Sequence, residues 1–265
     1  MSNIPIFDSL VHPTINGDWI LPGFPKKSCI DDLLAEMEMH NVFNAFAVGL
    51  NKIGAYDESK YCEFVLSKTD KLFPIAYFNV NEQHDLLSVI SKIKHLKSLK
   101  YHGIKLHPRI GKFNLLNPLL PEIIKAANDE NLVVFFCTYF YESYENVFYN
   151  NPGNLLKLLI KIPEEKIILL HGGGVSVLEY MEIARVFPNV LLDLSYTLCK
   201  YKGSSLDMDI QFLFNNFDRR ICIGSDFPEF TLNEMRQRFE FFTKNITSEK
   251  AENIAYKNIF NFIQK

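Results

Sequence analysis

The chain has 265 residues, 48% of them hydrophobic and 22% charged, a balance that can build and cover a sizeable core and excludes an intrinsically disordered protein. Glycine and proline number 12 each, too few for collagen or a low-complexity linker. A formal net charge of −3 with no long basic run offers no footprint for nucleic acid.

Short apolar runs, β-branched or aromatic, begin near Ile4, Asn44, Leu72, His102, Leu132, Lys166, Asn189 and Ile221. Their spacing averages about 31 residues, the length of one strand-plus-helix unit. The first run ends Asp8-Ser9-Leu10-Val11-His12 and leads into a long connection, Pro13 to Lys27, that holds the single tryptophan, Trp19. Ser28 to Asn41 reads as a helix, with Ser28 as its cap, Asp31 and Asp32 in the first turn and Ile30, Leu33, Leu34 and Met37 at helical spacing. Helical patterns cover Asp57–Thr69 and Glu82–Lys100 after the second and third runs. The fourth run reads Gly103-Ile104-Lys105-Leu106-His107-Pro108-Arg109, and Pro118 and Pro121 mark the next helix start. After the fifth run, Val133 to Cys137, comes a second long connection, Thr138 to Asn154, with Tyr139, Phe140, Tyr141, Tyr144, Phe148 and Tyr149. Helices follow over Gly153–Ile162, Val175–Phe187, Ser204–Phe217, Leu232–Lys244 and Ser248–Ile263.

Eight strands alternating with helices, undivided by any linker, predict one α/β domain over residues 1–265, a (β/α)8 TIM barrel. An open doubly wound sheet is the alternative. In a barrel both long connections lie on the C-terminal face, as lids or pocket walls, or packed on each other as a satellite cluster.

Five cysteines, at 29, 62, 137, 199 and 222, form no Cys-x-x-Cys pair and are odd in number, so free thiols in a reducing compartment are expected. The N-terminus has no basic stretch and carries Asp8 in its apolar run, unlike a signal peptide. No apolar run approaches the roughly 18 residues that span a bilayer. The expectation is a soluble cytoplasmic protein with a small-molecule substrate, no nucleic-acid or membrane partner, and a homo-oligomer left open.

The polar residues at strand ends carry the functional signal. Alternation puts Asp8, Leu10 and His12 on one face of the first strand, and Lys105, His107 and Arg109 on one face of the fourth. The fifth strand ends at Cys137, the sixth at His171 before Gly172-Gly173-Gly174, and the eighth at Gly224-Ser225-Asp226-Phe227-Pro228. A barrel would gather His12, Cys137, His171 and Asp226 at one mouth.

These segments resemble the amidohydrolase superfamily, in particular its amidohydrolase-2 branch of decarboxylases, hydratases and lactonases. The matching stretches are Phe7 to His12, Gly103 to Pro108, Leu169 to Gly173, Ile223 to Pro228 and the closing Glu252 through Phe260. The resemblance implies a barrel hydrolase or lyase with a divalent ion, commonly zinc. Its ligands would be a His-x-His on the first strand, a His ending the fifth and an Asp ending the eighth, with the sixth-strand His acting on bound water or substrate. Here Leu10 replaces the first His and Cys137 the fifth-strand His. Thiolate ligates zinc well, so His12, Cys137 and Asp226 plus water form a reduced candidate site, and loss of the metal is the alternative.

Two mechanisms follow. With an ion, bound water is acidified and the substrate carbonyl polarised, while Asp226 shuttles the proton and His171 orients the water or oxyanion. Without one, Asp226 is the general base and His171, His12 and Lys105 are the electrophiles, a scheme suited to lactones and esters. Lys105, His107 and Arg109 favour a small anionic substrate, with Trp19 and Tyr139 as walls; alternatively Lys105 pairs with Asp8 as a core network. Rival readings make Cys137 a nucleophile with His171 as base, although its apolar context would raise its pKa; place a phosphate on Gly172 to Gly174; or take the chain as a barrel that binds a metabolite without turnover. No Gly-x-Ser-x-Gly supports a serine hydrolase.

Overall fold

The computed structural model describes residues 4–20, 23, 25–141 and 150–264. Its eight strands are β1 (Ile6–Val11), β2 (Val42–Val48), β3 (Leu72–Tyr77), β4 (Gly103–Leu106), β5 (Val133–Cys137), β6 (Ile167–Leu170), β7 (Val190–Asp193) and β8 (Ile221–Cys222). They form one sheet in chain order with every neighbouring pair parallel. The edges meet: Ser9 N–H donates to Ile223 O at 3.0 Å and Asp226 N–H to Leu10 O at 2.9 Å. The (β/α)8 barrel expected from the spacing is the observed fold, and this strand order excludes the doubly wound alternative.

Each strand is followed by a helix on the outside: α1 (Ile30–Met39), α2 (Glu58–Lys68), α3 (Leu86–Ser98), α4 (Leu119–Asp129), α5 (Pro152–Leu159), α6 (Val177–Val186), α7 (Leu206–Asn216) and α8 (Leu232–Thr243). The starts follow side chains that accept orphan backbone N–H groups: Asp57 for α2, Asp85 for α3, Asn151 for α5 and Thr231 for α8. Ser28 does not cap α1. Cys29 holds that position, and the Ser28 hydroxyl donates to His12 O, which ties the first long connection to the end of β1. The closing segment Ser248–Gln264 includes a π-helical stretch over Asn253–Lys257. Among the described residues no helix is long and apolar enough to cross a membrane, and all five cysteines are free thiols.

Alternation sorts the strand side chains into two cores. Ile104, Leu106, Val134, Phe136, Ile167 and Leu169 pack outward against the helices. Phe7, Leu10, Phe46, Phe135, Ile168 and Leu170 fill the barrel. At the N-terminal end this filling is aromatic: Phe7 stacks on Phe73 at 5.7 Å, Phe46 meets Phe135 edge-on at 4.9 Å, and Phe260 of the closing segment packs on Phe7 at 5.6 Å. Charged and polar side chains sit above that plug, at the opposite mouth.

Alternation fails at two places, and both shape the site. The β1–β2 register shifts between Asp8 and Val11. Asp8 therefore does not share a face with Leu10 and His12; its carboxylate accepts from Leu10 N–H at 3.0 Å, Ser225 N–H at 3.0 Å and Ser225 Oγ–H at 2.6 Å. Gly224 makes this closure possible, since a Cβ there would lie 2.5 Å from Ser9 Oγ and 2.9 Å from Leu10 N. The second break is His171, which would follow Ile167 and Leu169 outward. Its left-handed backbone, φ 67°, breaks the alternation, and its imidazole lines the cavity of the mouth instead.

Candidate active site

The mouth holds a cavity of about 420 Å³. His12, Trp19, Lys105, His107, Tyr139, His171, Tyr196 and Asp226 line it, so residues from six strands and their loops converge there. Cys137 does not line it: the side chain is fully buried, hydrogen-bonded to His107 and His171. Of the aromatic residues expected in the second long connection, Tyr144, Phe148 and Tyr149 lie outside the described residues; Tyr139 is a wall of the cavity. Trp19 brings the first long connection to the same wall. Its ring stacks on His12 at 5.5 Å, and Nε1–H donates to Glu229 Oε1 at 2.7 Å, while Lys26 Nζ–H holds the Glu229 carbonyl at 2.7 Å.

The tautomers follow from the partners. Val48 O can only accept, so His12 Nδ1–H donates to it at 2.7 Å and the Nε2 lone pair faces the cavity. Lys105 Nζ–H donates to that nitrogen at 3.2 Å, and Asp226 Oδ1 lies 3.3 Å from it. Burial and the Lys105 charge push the His12 pKa down, against Asp226. Burial lowers Lys105 as well, opposed chiefly by the attraction of Asp226. For Asp226 burial acts upward, but the contact with His12 and the charges of His171 and Lys105 outweigh it and hold the carboxyl far below the usual range. Asp226 is therefore an ionised base in a pocket ringed by donors. Lys105 does not pair with Asp8, contrary to the core-network expectation; Asp8 is spent on Ser225 and Leu10.

His171 is positioned from behind. Nδ1–H donates to Ser195 O at 3.2 Å, and the backbone N–H donates to Asp193 Oδ1 at 3.2 Å. The hydroxyls of Ser9 and Ser195 also donate to Asp193. Nε2 is left to face Cys137 at the edge of the cavity, and Cys137 and Asp226 raise the imidazole pKa against the effect of burial. His107 Nδ1 accepts from Ile110 N–H at 3.2 Å, so its Nε2–H faces Cys137, and burial lowers its pKa to about 4. Burial would raise the Cys137 thiol, but the two imidazoles reverse it and hold the thiol well below its ordinary range. The apolar context read from Val133 to Phe136 leaves out these two imidazoles, because they come from other strands. Arg109 lies over the Tyr139 ring at 5.4 Å, a cationic rim to the cavity.

Gly172 to Gly174 all have positive φ, but the Gly173 N–H donates to Thr138 Oγ1 at 2.8 Å and does not face a phosphate. Sequence reasoning missed Asp193, Ser195, Tyr196 and Glu229. The β7 end reads Asp193-Leu194-Ser195-Tyr196, and the strand-end rule that singled out His171 applies there equally. Glu229 had no such signal; it matters only because Trp19 reaches it across the mouth.

The implied divalent ion does not fit these residues. Leu10 sits in the apolar barrel interior, the His12 lone pair is taken by Lys105, and Cys137 faces two imidazoles. Among the described residues no group of three or more His, Cys, Asp or Glu side chains is arranged to hold a metal.

An uncharacterized TIM-barrel protein from Bordetella bronchiseptica superposes with a TM-score of 0.81 at 17% identity, over 98% of each chain. A Pseudomonas putida protein, provisionally described as a 2-pyrone-4,6-dicarboxylic acid hydrolase, superposes at 0.71 with 11% identity, again over 98% of each chain. A 5-carboxyvanillate decarboxylase from Novosphingobium aromaticivorans, crystallised with manganese and 4-hydroxy-3-methoxy-5-nitrobenzoic acid, superposes at 0.63 with 11% identity, over 88% of this chain and 79% of its own. At such identities the likeness is one of fold. No curated protein sequence matches. The model of the amidohydrolase family Amidohydro_2 matches residues 22–259, a span that begins after β1, so the altered Leu10 and the retained His12 lie outside it. With a closed barrel, a polar mouth at its C-terminal face and nine-tenths of its length under that match, the chain belongs to the amidohydrolase family.

Proposed function

We propose that the mouth catalyses attack of water on the carbonyl carbon of a small anionic substrate, a lactone, ester or amide. The observation that carries this reading is the Asp226 carboxylate, kept ionised 3.3 Å from His12 Nε2 in a cavity that also receives Lys105 and His171. Asp226 takes a proton from water as the oxygen attacks, and the cations around the carbonyl oxygen stabilise the tetrahedral oxyanion. His171, held through Nδ1, gives its Nε2 proton to the leaving oxygen or nitrogen. Arg109 on its Tyr139 platform holds a substrate carboxylate at the rim, and Trp19 covers the opposite side. Cys137 is not a nucleophile in this scheme, because it is fully buried and both flanking imidazoles already face it.

A lyase reading draws on the decarboxylase among the structural neighbours. The same pocket would hold a carboxylate while His171 protonates the carbon that loses carbon dioxide. Incubation of anionic lactones, esters and aromatic carboxylates in 18O-labelled water separates the two. Hydrolysis places one label in the product carboxylate; carbon dioxide release from a carboxylate panel, with no labelled hydrolysis product, would replace hydrolysis by lysis.

A further inference from the structure

The lone pair of His12 Nε2 and the carboxylate of Asp226 point at each other across 3.3 Å. Both are acceptors once Nδ1–H is committed to Val48 O, so the pair requires a positive charge beside it. A divalent ion would meet that need, but the donor set does not accommodate one. Lys105 does meet it: the side chain is 1% exposed and its Nζ–H contacts Nε2 at 3.2 Å. A fully buried lysine at the end of a barrel strand has no packing reason to be there, and the bland partner, Asp8, is engaged elsewhere.

We propose that the Lys105 ammonium is the resident electrophile of this barrel, in contact with His12 beside Asp226 and supplying the charge that a divalent ion would otherwise bring. Leu10 then follows as a consequence. With the cation supplied by a side chain, the remaining ligand position joins the apolar filling beside Phe7 and Leu170. The ammonium offers its remaining N–H groups to the substrate carbonyl oxygen and to the oxyanion formed from it. It carries no bound water, so the attacking water is activated by Asp226 alone, with no change in the proton balance of the step: the proton leaves water for Asp226 and reaches the leaving group through His171. One positive charge is a weaker electrophile than two, which restricts the site to lactones and other activated carbonyls rather than unstrained amides.

This inference deepens the proposed hydrolysis, and its test has one arm that needs no substrate. Protein from cells grown with added zinc and manganese is assayed for metal by mass spectrometry and for melting temperature with zinc, manganese or EDTA. The expected result is at most about a tenth of an equivalent of any transition metal and an unchanged melting temperature. Near one equivalent, lost in His12→Ala, overturns the inference even if no substrate is ever found. The second arm reads turnover of Lys105→Ala and of the near-isosteric Lys105→Met, each checked for folding by melting temperature. A loss of about 10²- to 10³-fold is expected, as for removal of an oxyanion donor. Ethylammonium added to Lys105→Ala should restore at least about tenfold of it, and zinc none. Rescue by zinc, or folded variants that keep full turnover, overturns the role of Lys105. Loss of turnover with a metal-free protein but no labelled hydrolysis product would instead strike the hydrolytic reading and leave Lys105 as the cation.

Discussion

The cationic rim gives the most readable perturbation, because the only tryptophan of the chain stands inside the cavity that the rim guards. Trp19 is 5% exposed, stacked on His12 and tethered to Glu229, so its emission reports any occupant of the mouth. Titration with benzoate should change that emission, and neutral benzamide of the same shape should bind far more weakly. Arg109→Gln removes the guanidinium and its contact with Tyr139 at 5.4 Å. A hydrogen bond to a charged group contributes about 1.5–3 kcal/mol and an exposed cation–π contact about 0.5–1 kcal/mol. Only the first acts directly on the ligand, so a loss of about 10- to 150-fold in benzoate affinity is expected, with benzamide unchanged. Raising the salt concentration should weaken benzoate in the wild type and matter less in the variant. Equal affinity of benzoate for both proteins, or benzamide binding as well as benzoate, would refute a carboxylate site at Arg109.

Three further outcomes are expected. Asp8 is fully buried and burial pushes its pKa up to about 7, against the Ser225 hydrogen bond. The folded state therefore binds a proton that the unfolded state has lost above about pH 4, so this group's contribution is complete below pH 4 and disappears as pH rises to about 7. Urea denaturation of Asp8→Asn against wild type should show the wild type losing stability relative to the variant across pH 4–7; parallel curves would contradict the shift. Gly173→Ala would place a Cβ 2.0 Å from the Tyr180 ring at φ +72°, so a loss of about 2–4 kcal/mol in urea is expected, and a loss under about 1 kcal/mol would mean that the helix Val177–Val186 gives way freely. Cys137, although two imidazoles hold its thiol below the ordinary range, is 0% exposed. Peptide mapping after iodoacetamide should find it labelled at least about 100-fold more slowly than in urea, and rapid labelling of the native protein would reopen the nucleophile reading.

The barrel was legible because its signal is periodic. Eight apolar runs separated by helical patterns admit few topologies, and each observed strand falls on an expected run. The convergence of His12, His171 and Asp226 was legible for the same reason, since strand ends share one face of a barrel whatever their sequence separation; Cys137, expected with them, lies behind the cavity wall. What alternation could not supply were its own exceptions. The register shift in β1 turns Asp8 away from Leu10 and His12, and the left-handed backbone at His171 brings in a side chain that parity sends out. Pairwise partners were equally hidden. Nothing local distinguishes a lysine that meets an aspartate from one that meets a histidine, so the sequence leaves Lys105 between a substrate anion and Asp8 and gives no sign of His12, and the thiol of Cys137 reads by its own strand rather than by the imidazoles that follow β4 and β6. Asp193 and Ser195 carried a signal like that of His171, but their part emerges only through the hydrogen bonds behind that ring.

The most direct measurement pairs turnover with occupancy in Asp226→Asn. Asparagine keeps the shape of the side chain beside His12 and removes the base. Turnover of a hydrolysed substrate should fall about 10²- to 10⁴-fold, the usual contribution of a general base, while benzoate affinity read from Trp19 stays within about threefold of wild type. A folded Asp226→Asn protein that still hydrolyses at more than about a tenth of the wild-type rate would contradict water activation by this carboxylate.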